Sequence, residues 1–353
     1  MKKRLTIICN AQFGYLIDTY YYALHLKDKY EIRYICINAN KPLITDDDIE
    51  IINIEINKKG IFKWLYFIKQ IKPLIKGRDD IVFVKYFRFC SLLRTVVPKS
   101  RFILDIRTGS IDPRWFSRSL FNITLKLESF FVQKINVISD SLGKLLNLSN
   151  YNVVGLGSPV FSNDCKTFDN MRLLYVGTLS NRKIIDTLVG LKKHLDIYPE
   201  HLIESYDIVG DGYTNEVTDL KKLVVSLGLS GCVTVHGRIP HSELAPFFER
   251  CNIGVSYVPK TGYYDVQPVT KALEYIANGM FVIGTSTTEQ KNTLNEYNGE
   301  LCEDTPQSFC DALARVTTKR HQLNSDLIRK NTITRTWNEI SSDLKQILES
   351  EGS

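Results

Sequence analysis

No pair of cysteines at C-x-x-C spacing occurs among the eight in this 353-residue chain. Cys9, Cys36, Cys90, Cys165, Cys232, Cys251, Cys302 and Cys310 are scattered, which excludes a disulfide framework and a cysteine-based zinc site. They read as reduced core residues of a cytoplasmic protein. The six histidines form no H-E-x-x-H or comparable metal spacing. No apolar run approaches the length of a bilayer span. The start, MKKRLTIICN, imitates a secretory leader, but its apolar run closes at Asn10 and is too short for one. Residues 10–15 hold a single glycine, so the G-x-G-x-x-G of a dinucleotide-dependent oxidoreductase is missing after the first strand. No D-x-D stands in a strand-end loop, and Asp46-Asp47-Asp48 reads as a solvated turn between strands. There is no low-complexity segment and no fixed-period repeat.

The chain is too long for one ordinary core, so two domains are expected. A hydrophobic content of 44% and a charged content of 24% describe a globular protein. The net charge of +6 is unevenly placed. Residues 58–118 hold fifteen Lys and Arg against four Asp, a local +11 that leaves the remainder at −5. A basic half joined to an acidic one implies an anionic partner for the first.

Apolar periodicity then alternates between strand and helix. Strands are expected at 3–9, 30–38, 49–56, 80–85, 101–105 and 135–139, with helices at 15–29, 61–74, 116–132 and from 140. Residues 155–170 (GLGSPVFSNDCKTFDN) have linker composition. The pattern restarts with strands at 171–177, 206–212, 232–236 and 253–257, separated by helices from 186, at 216–227 and at 242–251. Such alternation implies α/β architecture, here two tandem doubly wound, Rossmann-like domains facing across a cleft. The boundaries fall at 1–158, joined by a C-terminal helix at 334–353 that Trp337 would anchor, and at 159–333. Ligands of such sheets bind beyond the carboxyl ends of the strands.

Four features of the second half converge on those ends. Gly177-Thr-Leu-Ser-Asn-Arg182-Lys183 follows a strand and precedes a helix, and offers N–H groups and two cations to a diphosphate. Gly210-Asp211-Gly212 is a tight turn after a strand, where glycine allows close backbone approach. Gly237-Arg238-Ile239-Pro240 follows another, placed to read a base edge. The fourth is 263–285, YYDVQPVTKALEYIANGMFVIGT, read as loop, helix and buried strand. Pro268 suits a first helical turn, Gly279 a helix end, and Gln267, Lys271 and Glu274 are spaced i, i+4, i+7 along one face. Solvated turns and a surface helix with a Lys–Glu pair are the plain alternatives for these motifs.

In this order, V-G-T-L-x-x-R-K (176–183), I-V-G-D-G (208–212), V-T-V-H-G-R-I-P-x-x-E-L (233–244) and P-V-T-K-A-L-E-Y-I-A-N-G-M-F-V-I (268–283) resemble the donor half of family 4 glycosyltransferases of the GT-B fold, the glycosyl transferases group 1. The resemblance covers 171–299 well and the first domain in outline. It implies a nucleotide-sugar donor, with Arg182 or Lys183, and Lys271, on the diphosphate, Glu274 on the ribose hydroxyls and the Gly237-Arg238 segment at the base. Gly14, the remnant of the family's first glycine-rich loop, and Gly177, Gly210, Asp265, Val266, Gln267 and Pro268 join the donor side. The chain departs from the family pattern at Val266, where many members have a first glutamate, and at Thr178, where many have arginine. Asp105-Ile-Arg107 stands where many carry a catalytic-domain histidine, so Asp105 and Arg107 are the acceptor-side candidates. Retention of anomeric configuration is implied, with the leaving phosphate assisting deprotonation. The expected site needs no metal and no cofactor beyond the nucleotide sugar. A non-catalytic nucleotide- or glycan-binding relative is the alternative from a different class.

The acceptor is expected to be a glycan or a polyprenyl-diphosphate-linked sugar, as in surface polysaccharide assembly of the O-antigen or capsule type. Residues 58–78 contain seven basic residues and no acid. Ile61, Trp64, Leu65, Ile68, Ile71 and Ile75 follow helical spacing, with Pro73 expected to end or kink the helix. Such a segment either packs its apolar stripe on the sheet with its lysines solvated, or rests its rim on anionic lipid at the inner membrane face. Nucleic acid is not an expected partner, since no recognition motif accompanies the charge.

Overall fold

The computed structural model describes residues 2–76, 81–98, 101–110, 114–198, 202–212, 214–268, 270–331 and 335–350, apart from the side chains of 242 and 263. The expectations touching Asp80, the Tyr263 side chain and residue 334 fall outside these. The chain divides into one unit of Met1–Gly157 with Trp337–Ser353, and another of Ser158–Thr336.

The first unit runs β1 (Lys3–Cys9), α1 (Ile17–Leu26), β2 (Tyr30–Ile37), β3 (Ile49–Ile54), α2 (Gly60–Ile75), β4 (Ile81–Lys85), β5 (Phe102–Ile106), α3 (Trp115–Ser129), β6 (Lys134–Val137), α4 (Asp140–Leu145) and β7 (Tyr151–Val153). All its strands pair in parallel, in the order β3-β2-β1-β4-β5-β6-β7. A strand covered on both faces is mostly apolar, and β1 is buried from Leu5 to Cys9 and β5 along its whole length, with Thr6 and Asp105 as their buried polar residues. β7, only three residues long and half exposed, is a strand that its short pattern did not announce.

The second unit runs β8 (Met171–Val176), α5 (Ile184–Ile197), β9 (Ile203–Val209), α6 (Glu216–Ser226), β10 (Val233–Gly237), α7 (Ala245–Arg250), β11 (Ile253–Ser256), α8 (Gly262–Asp265), α9 (Thr270–Ala277), β12 (Phe281–Thr285), α10 (Thr288–Thr293), β13 (Gly299–Cys302), α11 (Pro306–Lys319) and α12 (Ser325–Lys330). Its six strands are parallel in the order β10-β9-β8-β11-β12-β13. The strand order reverses between β8 and β11, and the sheet opens a crevice there. Two parallel sheets flanked by helices are the doubly wound architecture expected from the alternation.

Trp337 opens the last helix, α13 (Trp337–Glu349), which returns to the first unit. Its indole is buried, stacks on Tyr21 with ring centroids 5.1 Å apart, and packs edge-on against Tyr22. Gly157 makes this fit possible: a Cβ there would sit 2.5 Å from the Trp337 ring.

Three expectations are corrected. α2 continues through Pro73 to Ile75, because the segment is held by burial of Phe67, Ile68, Ile71 and Ile75. Its expected apolar stripe is only half inward, for Ile61 and Leu65 are exposed and Trp64 stacks on Phe87 at 5.6 Å. Of the cysteines, six are buried as core residues, but Cys165 is exposed and Cys232 half-buried; all eight are free.

Candidate functional site

The crevice of the second unit holds a cavity of about 340 Å³, lined by residues that follow β8 (Gly177, Thr178, Arg182), residues of β11 and its exit (Val255 to Val258), and Tyr264, Gln267, Pro268, Thr270 and Lys271. Three glycines singled out separately in the sequence form one ladder at its edge. The Gly177 N–H donates to the Val209 carbonyl at 3.0 Å, and the Gly210 N–H to the Gly237 carbonyl at 2.8 Å. Gly210 is irreplaceable on space alone, since a Cβ would fall 1.8 Å from the Gly177 carbonyl oxygen. Leu179 N–H then donates to the Asp211 carbonyl at 2.9 Å, tying the β8 and β9 loops together. Glu216, at the start of α6, clamps the same loops. It accepts from the Ser180 hydroxyl and from Thr214 N–H at 2.8 Å, and these bonds hold its carboxyl down at about 2.

The two cations of the β8 loop have separate fates. Arg182 lines the cavity with its guanidinium 4.4 Å from the Tyr264 ring centre. Lys183, in a left-handed conformation at the start of α5, turns away to pair with Asp304 at 3.0 Å. One loop thus supplies one cation to the cavity.

Helix α9 is shorter than its sequence suggests. Its described residues are Thr270–Ala277, and Pro268 and Gln267 stand before it, outside the helix, after the separate short helix α8 and a bend at Val266. The expected shared face therefore holds for Lys271 and Glu274 and not for Gln267. Its end matches the sequence: Gly279 has φ +70°, and Met280 N–H reaches back to Tyr275 O at 3.0 Å, a Schellman closure. Beyond it β12 is wholly buried. Burial of Phe281, Val282 and Ile283, each contributing on the order of 2 kcal/mol, seats the helix against the sheet. Tyr275, fully buried, accepts from the Val176 N–H at 2.8 Å and links α9 to the end of β8.

Lys271 Nζ lies 2.6 Å from Glu274 Oε2, and Glu274 is 1% exposed. A buried carboxylate of this kind persists only because the ammonium neutralises it. His241 is a neighbour that the sequence did not single out. Its ring packs on Phe161 at 5.2 Å; burial lowers its pKa, with the Glu274 charge opposing and the Lys271 charge reinforcing that shift. Nothing in the local pattern marks it, because its neighbours come from elsewhere in the chain.

The other candidates are placed apart. Asp265 receives the Thr288 N–H at 2.9 Å and its hydroxyl at 2.7 Å, and so fastens the start of α10. Val266 lies in the bend, and Arg238 is exposed beyond Gly237. Gly14 belongs to the first unit, in the loop after β1, where φ is +84° and Ile44 leaves no room for a Cβ. Asp105 and Arg107 are buried there as a network. Arg107 Nε donates to Asp18 at 2.6 Å and Nη1 to the Val154 carbonyl at 2.6 Å. Burial raises Asp105 to about 7, against the nearby Arg107 charge 3.7 Å away. Among the described residues no group of three or more His, Cys, Asp or Glu is arranged to hold a metal ion, and no helix is long and apolar enough to cross a membrane.

Residues 170–319 match the family model Glycosyl transferases group 1. The chain has the α/β GT-B fold, and its match to the group 1 glycosyl transferases lies within the second unit. Solved structures of this fold superpose on the chain along its whole length. Sucrose-phosphate synthase from Thermosynechococcus elongatus has a TM-score of 0.75 at 15% identity, covering 98% of both chains. The Anabaena protein HepE in complex with UDP has a TM-score of 0.74 at 11% identity, covering 99% of both. The trehalose-6-phosphate structure from E. coli, bound with UDP-2-fluoro glucose, has a TM-score of 0.72 at 10% identity, covering 99% of this chain and 100% of that one. No curated protein matches the sequence significantly.

Proposed function

We propose that this protein is a glycosyltransferase that takes a nucleotide sugar into the cavity between β8 and β11 and transfers the sugar to a glycan or a polyprenyl-diphosphate-linked acceptor. The observation that carries this is the cavity itself. It lies at the strand-order reversal, and Arg182 and Lys271 both line it beside the loop after β8. Cations and backbone dipoles are what a departing diphosphate requires, since charge builds on the leaving phosphate as the bond to the anomeric carbon breaks. UDP and a UDP sugar in two structures of the same fold support a nucleoside diphosphate here.

In this reading Lys271 and Arg182 hold the diphosphate, and Glu274 receives the ribose hydroxyls. Lys271 now covers Glu274, so donor binding exchanges one bond for two: the ammonium turns to phosphate and the freed carboxylate accepts from ribose. The Gly237-Arg238 backbone borders the base. Reaction with retention, the leaving phosphate taking the acceptor proton, needs no protein nucleophile and no metal. Surface polysaccharide assembly is the process proposed for it.

Thermal-shift measurements with UDP, GDP, ADP and dTDP test the donor. Saturation near a hundredfold Kd adds about 2.7 kcal/mol to apparent stability. A shift with one nucleotide, lost in Lys271→Ala, is the expected result. No shift with any of the four would overturn the reading in favour of a non-catalytic relative.

A further inference from the structure

Helix α3 is built inside out. Phe116, Leu120, Ile123 and Leu127, continued by Phe130 and Phe131 just past its end, are 51% to 65% exposed. On an ideal helix they share an arc of about 100°. The face opposite, turned to the protein, carries Leu125, Glu128 and Ser129, all buried. Glu128 is held there by bonds from Phe89 N–H at 2.8 Å and Ser91 N–H at 3.1 Å. An ordinary helix of a doubly wound domain does the reverse, with its apolar stripe on the sheet.

The surface extends past α3. The β3-to-β4 and β5-to-β6 crossovers run in the same direction along the sheet, so right-handed connection puts α2 and α3 on one face. Both pack against the 3₁₀ turn Cys90–Thr95. The exposed N-terminal half of α2 adds Phe62 and Leu65, and the turn adds Leu92. Every charge these three elements expose is positive, because Glu128, their one acid among the described residues, is buried.

We propose that this face is a docking surface for an anionic lipid bilayer, with α3 as the inserted element. Aromatic and aliphatic residues on one arc with Lys and Arg beside them are the pattern of an interfacial helix. The charge argues against a second copy, since a two-fold contact through this face would set its lysines against each other. The sequence suggested lipid contact through 58–78; the exposed stripe makes α3 the principal element and α2 its neighbour. The surface gives a polyprenyl-linked acceptor a route to the enzyme, but it stands on its own residues and not on the donor reading.

Flotation of the full chain with vesicles of phosphatidylglycerol and phosphatidylcholine in equal parts, and of phosphatidylcholine alone, tests it. The expected result is binding to the anionic vesicles and a loss of about tenfold or more in the double variant Leu120→Glu, Leu127→Glu. Both positions are exposed, so the variant should keep the wild-type melting curve and the wild-type response to UDP. Brominated lipid should quench tryptophan fluorescence in the wild type, and Trp115→Phe should remove most of that quenching. Salt-sensitive binding that the double variant retains would overturn the proposal, because charge alone would then be responsible. A wild-type dimer that the double variant dissolves, without vesicle binding, would overturn it in favour of a second copy.

Discussion

Lys271 and Glu274 form one unit, and their substitutions should not be equivalent. Lys271→Ala leaves a buried carboxylate without its cation, so we expect transfer to fall at least about tenfold and the second unit to lose about 3 kcal/mol. Glu274→Ala removes the buried charge and frees the ammonium; transfer should fall similarly, with a smaller stability loss. Steady-state kinetics beside urea denaturation separates the two. Lys183→Ala should spare activity relative to Arg182→Ala, because Lys183 is engaged by Asp304 and Arg182 faces the cavity. Asp105 makes a pH prediction. Its folded pKa, about 7, lies above the usual 3.8, so its contribution to stability is full below about pH 4 and is lost as pH rises through 7. Asp105→Asn should remove this fall, widening its stability advantage over the wild type by at most about 4 kcal/mol between pH 4 and 8. Urea melts across that range that run parallel in the two proteins would contradict it.

At the scale of elements, the strand-end loops are held in place by backbone contacts more than by side chains. Gly210→Ala meets the Gly177 carbonyl and cannot be relieved by a rotamer change. We expect a loss of about 2–4 kcal/mol and weakened nucleotide binding, since the β8 loop moves with it; calorimetry with and without nucleotide reads both. The sequence placed these loops correctly on strand ends, because buried parallel strands are apolar runs and their exits are glycine turns. It overextended the helix at 268–279. Periodicity cannot show that the chain bends at Val266 and that Asp265 is committed to Thr288. α3 shows the same limit more strongly: a stripe at helical spacing reports that one face is apolar, not which way that face turns.

For the whole molecule, the C-terminal helix is the informative part. α13 belongs to the first unit although the chain has meanwhile built the second. Removal of residues 337–353 exposes Tyr21 and Tyr22, and Trp337→Ala alone should cost the first unit about 3–5 kcal/mol. Differential scanning calorimetry should show the first unit's transition lowered while a nucleotide-induced shift in the second persists. A shift of both transitions together would show that the units do not melt separately. The sequence alone determined the α/β class, the restart of the pattern after 155–170, the order of the glycine turns and the closure of α9 at Gly279, because each rests on local periodicity or on a backbone conformation glycine favours. Tertiary structure alone decided which cation faces the cavity, that three distant glycines form one ladder, that Asp105 and Arg107 are buried, and that α3 turns its apolar face outward. These depend on groups far apart in the chain: a long side chain places its charge wherever a partner lies, and an apolar face is covered only if another element arrives to cover it.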